Sequence, residues 1–206
     1  MNLAGIISIA LSLVGSSYAT ISVLVKDYGY AAIFLLMLLE GSSVPVPSEV
    51  VLPLTGLFAR QGLLSIYWGV LAALLGSIVG LAVDYYIGYF IGKDIVYKHL
   101  KRLHIRQEAL DSFDRWFERN GMAAVFISRL IPVLRTLMSF PAGFAKMPPR
   151  EFFAYSVAGS LIWDIVLALY GYYALASSNA VLLMASIGAF ALVLYVIYAI
   201  ARKHLR

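Results

Sequence analysis

The longest apolar runs in this chain decide which solvent it folds in. Leu3 to Val25 and Gln61 to Val83 are each 23 residues without a charge, and Phe152 to Ala201 is 50 residues interrupted only by Asp164. About 20 apolar residues, each rising ~1.5 Å, cross the ~30 Å hydrocarbon core of a bilayer. Only 13% of the residues are charged, against about a quarter in a soluble domain. The expected fold class is an all-α polytopic membrane protein, a single membrane domain over 1–206 with crossing helices at 3–25, 62–92, 152–176 and 180–201. Because no basic stretch precedes it, the first run reads as a retained helix rather than a cleaved leader.

Two apolar segments do not fit simple crossings. The segment 28–60 contains Glu40, Pro45, Pro47, Glu49, Pro53 and Gly56, and 122–146 contains Arg129, Pro132, Arg135, Pro141 and Gly143. Proline removes a helix donor and clashes with the preceding turn. A charge at the bilayer centre costs about 2.5–3.5 kcal/mol on insertion scales. Broken backbone at membrane depth survives only where protein or a water-filled cavity satisfies it. Both segments therefore read as re-entrant hairpins, with these prolines and glycines as breakers.

The two segments also resemble one another. Gly29-Tyr30-Ala31-Ala32-Ile33-Phe34 matches Gly121-Met122-Ala123-Ala124-Val125-Phe126, while Gly76-Ser77 and Gly88-Tyr89 match Gly159-Ser160 and Gly171-Tyr172. A unit of one hairpin and one crossing helix begins its second copy on the opposite face. The result is an inverted repeat, in which transporters place substrate near the midplane. On this topology twelve Lys/Arg lie on one side and only Lys26 and Arg60 on the other. The positive-inside rule then puts both termini and the segment 93–119 in the cytoplasm. Leu100, Leu103, Leu110, Phe113 and Phe117 give 93–119 an apolar face for the inner membrane surface.

Six ionisable residues lie within apolar segments: Glu40, Glu49, Asp84, Arg129, Arg135 and Asp164. The interruption inside each hairpin lets Glu40 with Glu49, and Arg129 with Arg135, turn towards one cavity. Two guanidiniums form a clamp suited to phosphate, and the carboxylates are candidates for proton coupling or gating. A structural ion-pair network is the competing explanation. Asp84 and Asp164 are secondary candidates, since a headgroup position or a bond to a neighbouring helix accounts for either. No metal or cofactor is expected. The chain has no cysteine, and His99, His104 and His204 lack ligand spacing, where a metal needs three or four ligands. No serine–histidine arrangement or phosphate loop suggests a catalytic residue, and the basic residues form no stripe for nucleic acid.

Glu40 through Pro47-Ser48-Glu49 and Pro53…Gly56, then Gly76…Gly80…Tyr86-Ile87-Gly88…Gly92, then Phe126-Ile127-Ser128-Arg129-Leu130-Ile131-Pro132-Val133-Leu134-Arg135…Pro141-Ala142-Gly143 resemble the DedA family of bacterial membrane proteins. The likeness runs from about Tyr28 to Tyr173, and its most specific part is the F-x-x-R-x-x-P-x-x-R…AG stretch. Many members have Pro-Gly-Glu or Pro-Gly-Asp where this chain has Pro47-Ser48-Glu49, a version similar to the branch assigned to undecaprenyl phosphate translocation. The resemblance implies an inner-membrane lipid or ion transporter whose essential charges correspond to Glu40, Glu49, Arg129 and Arg135. Its implied partners are a polyprenyl phosphate or phospholipid, protons and the bilayer. The expected function is a flippase for undecaprenyl phosphate. Phosphatidylethanolamine scrambling, another proton-dependent transport, a membrane-embedded phosphatase and a structural scaffold stand as alternatives. Whether the chain acts alone or as a homo-oligomer is left open.

Overall fold

The computed structural model describes residues 3–102, 107–132 and 134–175, so the expected helix 180–201 lies outside the described residues. Among the described residues the chain is helix and turn throughout. The helices are α1 (Leu3–Gly41), α2 (Ser48–Arg60), α3 (Ile66–Arg102), α4 (Gln107–Ser128), α5 (Leu134–Leu137), α6 (Ser139–Phe144) and α7 (Pro149–Tyr170). A π turn over Gly171–Leu175 continues α7. Among the described residues, three stretches are long and apolar enough to cross a membrane: Tyr18–Gly41, Ile66–Gly92 and Pro149–Ala174.

Two long helices bend at glycines in conformations closed to most side chains. Gly29 takes φ 55° within α1, and Gly92 takes φ 73° within α3. These bends fall at the ends of the segments expected at 28–60 and 62–92. Helix α1 nevertheless runs on through Gly29, so the expected division at 25–28 is a bend rather than a gap. Helix α4 likewise joins the expected surface segment to the second broken segment without a stop. Its Phe113, Trp116 and Phe117 form an aromatic group, in which Phe113 lies 6.5 Å between ring centroids from Phe144 of α6. Phe113 and Phe117 of the expected apolar face thus pack on the protein itself, while the side chains of Leu100, Leu103 and Leu110 lie outside the described residues.

The breaks are made by fewer residues than expected. Pro45 and Pro47 lie in the loop between α1 and α2, and Pro132 lies in the turn between α4 and α5. Pro53 and Gly56 sit inside α2, and Pro141 and Gly143 inside α6, without interrupting either helix. In α6, Pro141 is the third residue, within the first turn, where the donor it lacks would be unpaired anyway.

Small residues bring the backbones into contact. A Cβ at Gly76 would stand 2.2 Å from the Phe34 carbonyl oxygen, and one at Gly80 2.3 Å from that of Leu38, so α1 lies directly on α3. Lipid supplies no hydrophobic drive between apolar helices, and close backbone approach is what packs them there. The same device joins distant parts of the chain. Gly56 of α2 faces Ala168 and Tyr172, and Gly171 faces Pro53. Gly143 of α6 faces Tyr85 and Tyr89 of α3, and Gly88 faces Phe140. Thus α2 packs on α7 and its π turn, while α6 packs on α3.

The polarity runs opposite to that of a soluble domain. Leu71, Leu75, Val79, Val83, Ile87 and Phe90 form an exposed apolar stripe along α3, at the spacing that repeats one helix face. The buried side carries Ser77 and Asp84 on α3, and Ser156, Ser160 and Asp164 on α7. Apolar residues thus face outwards as well as filling the core, and these polar ones are buried among the helices.

Candidate functional site

The interior charges are placed by the two broken segments. Glu40 occupies the last turn of α1, where Gly41 lies against α3 and Ser43 carries the chain away with φ 58°. Arg129 follows the end of α4, and Arg135 sits in the single turn of α5. The break around Pro132 lets both arginines point inwards although six residues separate them. All three side chains are buried.

Arg135 bridges the two segments. Its Nε lies 3.0 Å from Glu40 Oε1, its Nη1 donates to the Ser48 hydroxyl at 3.3 Å, and its guanidinium stands 5.7 Å from the Trp163 ring centroid. It thereby joins the end of α1, the first residue of α2 and the inner face of α7. Arg129 is held differently. Its Nε and Nη2 donate to Ser156 at 3.3 and 3.1 Å, Nη2 donates to Ser139 at 3.2 Å, and Nη1 donates to the Arg135 carbonyl. Its guanidinium lies 5.5 Å from the Phe152 ring centroid. Gly159 makes room for it, because a Cβ there would come within 2.7 Å of the Arg129 Cβ. Arg129 is thus solvated by hydroxyls and a carbonyl, with no carboxylate at ion-pair distance among the described residues.

The expected foursome is only partly assembled. Glu40, Arg129 and Arg135 come together, but Glu49 is exposed in the first turn of α2 and makes no ion pair with either arginine. It lies close enough to act electrostatically on Glu40. Ser48 is the residue turned inwards at this point, and the reason is local: Pro47 is the extended N-cap, so α2 starts at Ser48 with its hydroxyl towards Arg135. The two secondary candidates are deeper than Glu49. Asp84 accepts a hydrogen bond from Ser43 at 2.5 Å and feels the charge of Arg129. Asp164 is fully buried, and among the described residues neither carboxylate oxygen has a hydrogen-bond partner.

Sequence reasoning did not single out Ser48, Ser139 or Ser156 as arginine partners. Ser156, Ser160 and Asp164 repeat every four residues within an apolar run, which marks one polar face of a helix. Ser48 also stands where many DedA members have glycine. Either signal pointed at these hydroxyls.

The cluster is closed to solvent, with Arg129 0% and Glu40 5% exposed. An open groove of ≈ 520 Å³, lined by Arg119, Met122, Phe126 and Tyr155 among others, runs between α4 and α7. Phe126 ends that groove one helical turn before Arg129. The arrangement can hold an anion only if Arg135 leaves Glu40 or Arg129 leaves its hydroxyls.

Fold and site define a multi-pass integral membrane protein with a charged interior. The chain belongs to the DedA family: residues 46–173 match the VTT domain, the domain of that family. It is 36% identical over 181 residues to the undecaprenyl phosphate transporter A of Staphylococcus aureus, covering 86% of this chain and 88% of that one. It is 33% identical to an alkaline phosphatase-like protein of Lactococcus lactis, covering 71% of each chain. Protein DedA of Escherichia coli is 31% identical, covering 73% of this chain and 72% of its own length. No solved structure matches.

Proposed function

We propose that this protein is a flippase that moves undecaprenyl phosphate between leaflets of the bacterial inner membrane, returning the carrier lipid to the cytoplasmic side. Arg129 and Arg135 receive the phosphate, and the polyprenyl tail stays in lipid beside the helices. The carrying observation is the buried pair Arg135–Glu40, which ties the two broken segments together and has to open before an anion can bind. A phosphate that displaces Glu40 meets two guanidiniums in a dry site, where charge-assisted bonds are strongest. Glu40 then competes for the arginine or takes up a proton, and exposed Glu49 serves the mouth of the same path. The name of the Staphylococcus aureus relative supports this choice of lipid. A net positive arginine pair also favours an anionic headgroup over the zwitterionic one of phosphatidylethanolamine.

The inverted-repeat reading draws support from equivalent contacts. Phe34 faces Gly76 as Phe126 faces Gly159, and Pro53 faces Gly171 as Phe140 faces Gly88. Two re-entrant segments related in this way give one site two routes, one to each leaflet. The charge asymmetry of the sequence puts the cytoplasm on the side of 93–119.

Leaflet exchange in proteoliposomes tests the proposal. Arg129→Lys or Arg135→Lys keeps the charge and loses the planar fork. Losing one charge-assisted bond, about 1.5–3 kcal/mol, lowers exchange of the phosphate lipid roughly ten- to a hundredfold. Exchange at the parent rate in both variants would contradict the role given to the arginines. Phosphate release, measured in the same samples, separates transport from a lipid phosphatase.

A further inference from the structure

Of the two interior carboxyls that this function does not use, Asp84 is hydrogen-bonded by Ser43 and Asp164 is not. Asp164 lies in the second half of α7, fully buried, and among the described residues neither of its oxygens has a hydrogen-bond partner. An ionised carboxylate in apolar surroundings without hydrogen bonds is among the costliest groups to bury. The charge count around it points the same way. Arg129 and Arg135 contribute two positive charges, and Glu40 and Asp84, each bonded as an acceptor, contribute two negative ones. The buried set is already neutral, so an ionised Asp164 would leave it with an uncompensated negative charge.

Its charged neighbours are few. Arg135 of α5 and Glu40 of α1 are the groups that act on it electrostatically. Among the elements packed on α7, α3 brings Asp84, and the end of α4 leads to Arg129, and these two act on each other. From α2 come Glu49, exposed at one end, and Arg60 at the other, over the Tyr172 ring. Asp164 is next in sequence to Trp163, whose ring carries the Arg135 guanidinium. Arg135 is thus paired with a carboxylate at the end of α1 and acts electrostatically on a second carboxyl on α7.

We propose that Asp164 is a proton-binding site of the charged interior, protonated while Arg135 pairs with Glu40 and ionised when Arg135 turns to it instead. In the exchange Asp164 loses one proton and Glu40 gains one, so the net charge of the buried set stays at zero. Arg135 then links α7 rather than α1 to the second broken segment. A proton supplied or removed at either carboxyl thereby biases which half of the molecule holds the arginine. This deepens the transport reading and rests on the same cluster.

Infrared spectroscopy of the full-length protein, without any lipid substrate, reads the proton directly and so stands or falls apart from transport. In an alkyl maltoside detergent, which has no ester carbonyl, aspartate isotope-labelled at its carboxyl carbon identifies the stretching band of a protonated aspartic acid. At neutral pH the parent shows that band. Asp164→Asn removes it, whereas Asp84→Asn leaves it in place. Glu40→Gln also removes it, because the freed Arg135 ionises Asp164, and this variant keeps the test alive if Asp164→Asn does not fold. The proposal is overturned if the parent lacks the band, if the band survives Asp164→Asn, or if it persists in Glu40→Gln.

Discussion

Two sets of like glycine contacts run through this molecule, and the two broken segments beside them divide its chemistry. In the first set, α1 crosses α3 at Gly76, and α3 receives α6 at Gly88. In the second, the end of α4 meets α7 at Gly159, and the π turn after α7 receives α2 at Gly171. The first broken segment carries Glu40 and Glu49, and the second carries Arg129 and Arg135. Packing is thus duplicated while charge is complementary. Either segment alone would bury charges of one sign, and burying an unpaired ion is strongly destabilising. The segments depend on one another at Arg135–Glu40, where the backbone contacts are not involved.

Substitutions at these glycines have the largest expected effect. Gly→Ala inside a helix ordinarily stabilises by about 1 kcal/mol. At Gly171 the new Cβ would meet the Pro53 carbonyl at 1.9 Å, and at its counterpart Gly88 it would meet that of Phe140 at 2.7 Å. Valine at either place should lower the thermal midpoint in detergent sharply, by roughly 1–3 kcal/mol or more. A large loss at one site and none at the other would break the equivalence of the two sets.

Next in size is the contact that joins the complementary charges. Arg135→Gln alone should cost about 3–5 kcal/mol, since it leaves the buried Glu40 without its partner, and Glu40→Gln should cost less, since the freed Arg135 turns to Asp164. The double variant should cost much less than the sum, giving a coupling energy of about 0.5–3 kcal/mol in a double-mutant cycle. Additive losses would mean that the pair does not hold the segments together. Glu49→Gln should have the smallest effect, within about 0.5 kcal/mol in the same denaturation assay, because its side chain is exposed. A loss as large as that of Glu40→Gln would place Glu49 inside the cluster after all.

Much of this organisation was legible in the sequence, for identifiable reasons. Long apolar runs, each broken by a single aspartate, marked Ile66–Gly92 and Pro149–Ala174 to within a few residues. Pro45, Pro47 and Pro132 marked the breaks, and the rarity of intramembrane charge marked Glu40, Arg129 and Arg135. Other features follow from tertiary contacts that spacing does not encode. Pro53 and Pro141 are tolerated within helices, and Pro53 presents its carbonyl to Gly171. Glu49 was assigned to the cavity because a chain break can turn neighbouring residues inwards, yet α2 begins at Ser48 and turns the hydroxyl in instead. A lone aspartate in an apolar run does not reveal its depth, so Asp84 and Asp164 emerged as interior groups only with the helices packed.

The central claim is that the two arginines hold a lipid phosphate inside the membrane, and native mass spectrometry of the purified full-length protein tests it most directly. The account predicts that the parent retains a phosphate-bearing polyprenyl lipid. Arg129→Lys and Arg135→Lys should retain roughly ten- to a hundredfold less at equal lipid concentration. Equal retention by the parent and both variants, or exclusive retention of a zwitterionic phospholipid by all three, would contradict it.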